Sequence, residues 1–213
     1  GTGTVTGANF LLEIDGQKIL VDCGLTQGMK LADDINWDPF PYNAKEIDVL
    51  FITHAHVDHI GRIPKLIHEG FRGKIYSTAP TKALALFMLE DTAGILSNNT
   101  ELHLDAIYSP ENIKLALSIW QDFEYHQKIQ ITPDLEVSFL NAGHILGSAM
   151  IKFVYNKKAI LFTGDLGNSP SPLLPDTDKV TDIDYLIMES VYGDRNHESR
   201  DERRENLEKT IED

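Results

Sequence analysis

The segment DVLFITHAHVDHI, residues 48–60, decides how the chain is read. Asp48 to Thr53 carries a continuous apolar run, the pattern of a strand buried on both faces. It delivers His54 and His56 to the strand's end. Residues i and i+2 of an extended chain point the same way, so both imidazoles can face one metal. Asp58 and His59 follow at the start of the next helix, are aimed differently, and can serve a second metal. Imidazole nitrogen and carboxylate oxygen suit zinc, iron or manganese. A chance cluster of polar loop residues is the competing reading. Three histidines and an aspartate within six positions, directly after a buried strand, weigh against it.

On the N-terminal side, Phe10–Ile14 and Lys18–Val21 flank the turn signal Asp15-Gly16 and read as a hairpin. Gly28 to Tyr42 contains Trp37, Pro39 and Pro41, shows little period, and reads as a loop. On the C-terminal side, Ile60 to His68 has helical spacing with Gly70 as its stop. Lys74 to Ser77 is a short strand. Thr81 to Leu96 reads as a helix with Leu84, Ala85, Phe87 and Met88 on its apolar side. Ser109-Pro110 is an N-cap followed by proline at the first helical position, and the helix it opens is expected to run to about Phe123. Strands are expected at Glu136–Leu140, Ala149–Tyr155, Ala159–Thr163 and Tyr185–Glu189, with a hairpin turn at Asn156-Lys157. Ser199 to Asp213 is charge-dense, has Leu207 and Ile211 four apart, and reads as a solvated helix. Strands outnumber helices, and hairpins mix with crossovers. The pattern is that of a layered α/β fold, two sheets inside and helices outside.

The 213 residues fit one α/β domain with a sizeable core. No stretch approaches the length of a membrane span, no signal peptide is visible, and a cytoplasmic location is expected. The chain starts at Gly1 rather than Met. Its single cysteine, Cys23, excludes an intramolecular disulfide and reads as a small buried residue at a strand end. The formal net charge of −14 counts against a nucleic-acid substrate. Part of that excess is accounted for if the carboxylates hold divalent cations.

Further candidates lie at other strand ends. His144 follows the strand ending at Leu140, among the small residues Ala142, Gly143, Gly147 and Ser148. Asp165 follows the strand ending at Thr163, where a carboxylate can bridge two ions. Alone, each would more often be a turn residue than a ligand. Asp22 either caps a turn or, as an outer carboxylate, orients a ligand or a bound water. His68, His103 and His126 have no partner pattern and read as surface or helix-end residues.

The run His54-Ala55-His56-Val57-Asp58-His59 resembles the HxHxDH motif of the metallo-β-lactamase superfamily, with Asp22, His144 and Asp165 matching that family's other motif residues. Longer runs resemble its β-CASP branch of RNA-processing nucleases. These are GTVTG at 3–7, Asp22-Cys23-Gly24 with Gln27-Gly28, AGHILGSA at 142–149, and MESVYGDR at 188–195. His197 falls where branch members often place a histidine, and it is given no role.

The resemblance implies a four-layered αββα fold, incomplete at both ends. It implies two zinc ions, His54, His56, His144 and Asp165 at the first and Asp58, His59 and Asp165 at the second, with one histidine missing. Asp58, Asp22 and Glu189 would be the chain's catalytic carboxylates, Glu189 supporting a missing acid histidine. The whole chain would be the N-terminal part of a metallo-β-lactamase domain, with the β-CASP domain and the return segment lying beyond residue 213. Single-stranded RNA would be the parent's substrate. The isolated piece would bind metal weakly at its second site and have little activity. The resemblance leaves room for a homodimer of the parent. A thioesterase- or lactonase-like hydrolase of small molecules, which the acidic charge favours, is the alternative; a non-catalytic scaffold is a third reading.

Overall fold

A computed structural model describes residues 3–28, 32–96, 104–171, 173–196 and 200–212. Strand β1 (Phe10–Ile14) and β2 (Gln17–Val21) form the expected hairpin. Asp15 and Gly16 both take positive φ, the geometry that two-residue hairpin turns require. β2 then pairs in parallel with β3 (Val49–Phe51), β3 with β4 (Lys74–Ser77), and β4 with β5 (Trp120–Asp122). The second sheet has the order β10-β9-β8-β7-β6. Its members are β6 (Ile129–Gln130), β7 (Leu135–Asn141), β8 (Ala149–Tyr155), β9 (Lys158–Phe162) and β10 (Tyr185–Ile187). Asn156 and Lys157 make the β8–β9 turn, again with positive φ. Only β9 and β10 run parallel in this sheet.

The two sheets pack face to face, and strand alternation sorts their side chains. Ile19, Val21, Val49 and Phe51 point into the space between the sheets, where they meet Val137, Phe139, Ile151, Phe153 and Phe162. Leu20, Leu50 and Ile52 point the other way, into the helical layer. That layer holds α2 (Val57–Ile60), α3 (Ile63–His68), α4 (Ala79–Leu96), α5 (Leu104–Ile107) and α6 (Pro110–Ser118). The outer face of the second sheet is covered by the 166–183 segment, through Leu166, Val180 and Ile183 against Met150 and Leu161. Helix α7 (Arg200–Glu212) is solvated, with Leu207 and Ile211 exposed. Among the described residues, no helix is long and apolar enough to cross a membrane.

Several elements differ from the sequence expectation. The Gly28–Tyr42 loop contains a short helix, α1 (numbered first in chain order, Ala32–Trp37). It is held by a tertiary tie that periodicity does not register: the Asn36 amide donates to Thr26 O and accepts from Thr26 N, at 2.8 and 2.7 Å. The single helix expected from Ile60 is two, broken at Gly61 and Arg62. The helix opened by Ser109 stops at Ser118 instead of Phe123, because Trp120 turns inward, donates its indole N–H to Ser77 Oγ at 2.8 Å, and begins β5. Phe87 is exposed. The buried face of α4 is Thr81, Ala85, Leu89 and Thr92, in which two threonines disguise the helical period. Strands β9 and β10 end at Phe162 and Ile187, one and two residues short of Thr163 and Glu189. His68 is the exposed last residue of α3, and His126 is largely exposed beside Asp178. His103 and His197 lie outside the described residues.

Phe51 sits at the centre of the sheet interface, its ring 5.2 Å from that of Phe153, 5.4 Å from Tyr76 and 5.9 Å from Phe139. Phe51→Ala is expected to cost about 3–5 kcal/mol in urea denaturation. Gly94 in α4 is the opposite case, since a Cβ there meets nothing within 4 Å. Gly94→Ala is expected to stabilise by about 0.4–1 kcal/mol in the same assay.

Candidate metal centre

Five strands end on one rim. Asp22 follows β2, His54 follows β3, His144 follows β7, Asp165 follows β9 and Glu189 follows β10. Parallel register levels the two sides: Val21 pairs with Phe51 in one sheet, and Phe162 with Ile187 in the other. The carboxyl ends of parallel strands are where α/β folds collect their functional loops.

The first-sheet side is built around Thr53 and Asp22. Asp22 is 1% exposed and takes φ 59, a left-handed conformation that Asp tolerates better than most residues. One carboxylate oxygen accepts the Thr53 backbone N–H at 2.8 Å. The other accepts the Thr53 hydroxyl at 2.8 Å and faces His59 Nδ1 at 2.7 Å. With Nδ1 so engaged, His59 presents Nε2 outward, 3.2 Å from Asp165 Oδ1 and 3.8 Å from Asp58 Oδ2. Thr53 Oγ1 also lies 3.1 Å from His54 Nδ1, which leaves His54 Nε2 outward. Backbone bonds hold the loop below: Cys23 N–H donates to His59 O, Leu25 N–H to Val57 O and Ala8 N–H to Asp58 O. Gly24 has no alternative here, since a Cβ would fall 1.5 Å from Asp58 O.

His54 Nε2 lies 3.0 Å from His56 Nδ1, which lies 3.2 Å from His144 Nε2. Asp165 Oδ2 closes the set, 3.6 Å from His54 Nε2 and 3.5 Å from His144 Nε2. These four donors lie within 4.8 Å of one another and could hold a metal ion. The spacing fits: metal–ligand bonds of about 2.0–2.1 Å in a tetrahedron put ligand atoms roughly 3.3 Å apart. Alongside, His59 Nε2 faces both Asp58 and the other oxygen of Asp165. The structure therefore brings together His54, His56, Asp58, His59, His144, Asp165 and Asp22. Glu189 stands behind Asp165, its Oε1 accepting the Leu166 N–H at 2.8 Å. A cleft of about 480 Å³ opens beside His59, Asp165 and Glu189, with Val21, Phe162 and Ile187 on its apolar side.

Electrostatics separates the imidazoles. Burial holds His54 well below its ordinary value of 6.5, and the neighbouring His59, His56 and His144 push the same way. Burial lowers His144 too, against the opposing pull of Asp165. Burial also acts to lower His59, but Asp22 and Asp165 outweigh it and raise the group to about 10. Asp165 is lowered on balance: burial acts to raise it, while the hydrogen bond and charge of His59 prevail. Neutral His54 and His144 offer lone pairs, whereas protonated His59 must release a proton before it can act as a ligand.

The sequence does not single out Thr53, Thr78 and Thr81 for the site. Thr53 ends an apolar run and reads as strand. Thr78 and Thr81 are polar but carry no spacing signal, because the carbonyl they hold, that of Gly147, is 69 and 66 residues away.

The pattern described as "Metallo-beta-lactamase superfamily domain" matches residues 11–182. The chain belongs to the metallo-β-lactamase superfamily. Over 211 residues it is 36% identical to Ribonuclease TTHA0252 of Thermus thermophilus, covering 97% of this chain and 47% of that protein. It is 36% identical over 188 residues to an RNase J-like protein of Methanocaldococcus jannaschii (85% and 39% covered). Over 218 residues it is 31% identical to Cleavage and polyadenylation specificity factor 73 of Drosophila melanogaster (95% and 29% covered). The chain thus spans about half or less of the length of these metallo-β-lactamase relatives. Together with the runs at 142–149 and 188–195, they put it in the β-CASP branch.

A raised pKa at His59 has a definite sign. The protonated ring stabilises the fold in full below its ordinary 6.5, and this contribution is lost as pH rises towards about 10. Chelator-treated protein is expected to lose urea resistance steadily from about pH 7 to 10. His59→Gln is expected to flatten that profile; an unchanged slope would remove His59 as its source.

Proposed function

We propose that this chain forms the metal-binding part of a zinc-dependent ribonuclease that hydrolyses RNA phosphodiester bonds. The observation carrying the two-metal reading is Asp165, whose Oδ2 faces His54 and His144 while its Oδ1 faces His59. A carboxylate so placed would offer one oxygen to each of two ions. His54, His56, His144 and Asp165 would hold one ion. Asp58, His59 and Asp165 would hold the second, completed by a histidine from outside this chain. Zinc in these positions supplies Lewis acidity and lowers the pKa of a bound water towards neutrality.

The chain's own residues do the rest. Asp22 and Thr53 fix His59 so that Nε2 faces the centre. Asp58, partly buried and 3.8 Å from His59 Nε2, is both ligand and candidate proton acceptor. Glu189 holds the backbone behind Asp165 and would support an acid supplied by the remainder of the protein. The ribonuclease reading draws on the relatives' names and the branch-specific runs. The formal charge of −14 opposes it for this part alone, so the basic surface for RNA would come from the rest of the protein.

In the full-length protein, zinc analysis is expected to give two equivalents per chain. His56→Ala and Asp165→Ala are each expected to lower cleavage of single-stranded RNA by more than about 100-fold. Hydrolysis of thioesters or lactones with no RNA cleavage would favour the small-molecule alternative.

A further inference from the structure

We propose that Thr78 and Thr81, at the start of α4, are positioning residues for His144. The inference rests on the metal-centre reading and deepens it. His54 and His56 come from the first sheet, whereas His144 comes from the second. Their mutual distances therefore depend on how the two sheets are fastened at this rim. One tie is backbone: Ala149 N–H donates to Thr53 O at 2.8 Å. The other is the threonine pair. Thr78 Oγ1 donates to Gly147 O at 2.6 Å and Thr81 Oγ1 donates to the same oxygen at 2.9 Å, across 69 and 66 residues of chain. Both threonines are buried, at 3% and 0% exposure.

The turn they hold is the one that carries the imidazole. Ser148 Oγ accepts from the His144 and Ile145 N–H groups at 3.0 and 3.2 Å, closing residues 144–148 into a tight loop. Gly147 takes φ 84, and a Cβ there would fall 2.6 Å from Thr81 N, so its backbone lies directly on α4. Tyr125 donates its hydroxyl to Ser148 O at 3.0 Å from the other side. Removing both threonine hydroxyls leaves a buried carbonyl without donors, and the turn must move to find others. His144 Nε2, three residues away and 3.2 Å from His56 Nδ1, moves with it. Metal coordination tolerates deviations of only about 0.2 Å, so a small shift is felt as lost affinity.

The test uses the full-length protein and zinc alone, titrated against a chromophoric chelator, with the Co²⁺ absorption spectrum as a second readout. Thr78→Val with Thr81→Val is expected to weaken zinc binding by roughly 10-fold or more and to alter the Co²⁺ spectrum. The Thr78→Ser, Thr81→Ser pair keeps the hydroxyls and is expected to bind like the parent. Thr92→Val, three turns along the same helix, controls for lost stability and is expected to leave affinity unchanged. If the double valine variant does not fold, Thr78→Val alone is measured, with a several-fold loss expected. Parental affinity in folded valine variants, while His144→Ala binds weakly, overturns the inference alone. So does an equal loss in Thr92→Val. A parent that binds no zinc, or a His144→Ala variant with parental affinity, overturns the metal centre and this inference with it.

Discussion

The Asp22 carboxylate is buried and must be satisfied by protein groups. It is satisfied by Thr53 N–H, Thr53 Oγ1 and His59 Nδ1, and every one of these belongs to the segment that supplies His54, His56 and His59. A carboxylate that cannot reach water holds its partners closely, because leaving any of them unpaired is costly. The aim of His59 follows from that bond, the placement of Thr53 follows from the other two, and His54 lies against the same hydroxyl. The positive φ of Asp22 turns the chain at the end of β2 so that the carboxylate reaches this point. Backbone bonds from residues 23 and 25 to 57 and 59 lock the loop from below.

The second sheet meets this assembly with little freedom. Gly164 lies on Thr53, where a Cβ would come within 2.7 Å of its side chain, and Asp165 follows immediately. Gly143 and Gly147 bracket His144 with positive φ, each against backbone or hydroxyl groups of another segment. The small residues around the centre are thus the places where two backbone segments approach too closely for a side chain. The aromatic packing of Phe51, Phe139 and Phe153 sets the separation of the sheets, and the rim hydrogen bonds set their offset. The donor atoms can stand about 3 Å apart without repulsion between like charges because burial keeps His54 and His144 neutral. His59, between two carboxylates, carries the charge instead.

Most of the layout was legible in the chain. The hairpin turns at Asp15-Gly16 and Asn156-Lys157, the buried strand before His54, and the N-cap at Ser109 all read correctly because their signals are local. Three of the departures share one cause. Helix α1 depends on Asn36 meeting Thr26, β5 on Trp120 meeting Ser77, and the buried face of α4 on Thr81, whose hydroxyl donates to Gly147 O. Hydrophobic periodicity cannot register a polar residue that is buried because something distant satisfies it.

The sequence by itself determined the two-sheet architecture, the candidate donor residues and their placement at strand ends. Those follow from alternation, from turn chemistry and from the rarity of three histidines and an aspartate in six positions. Only the tertiary structure decided which oxygen of Asp165 faces which imidazoles, that Glu189 grips the backbone of Leu166, that Thr53 meets Asp22, and that Thr78 and Thr81 hold the Gly147 carbonyl. These contacts join residues from 21 to 111 positions apart, some within one sheet and some across the two, and their geometry is set by the packing that brings those strand ends together.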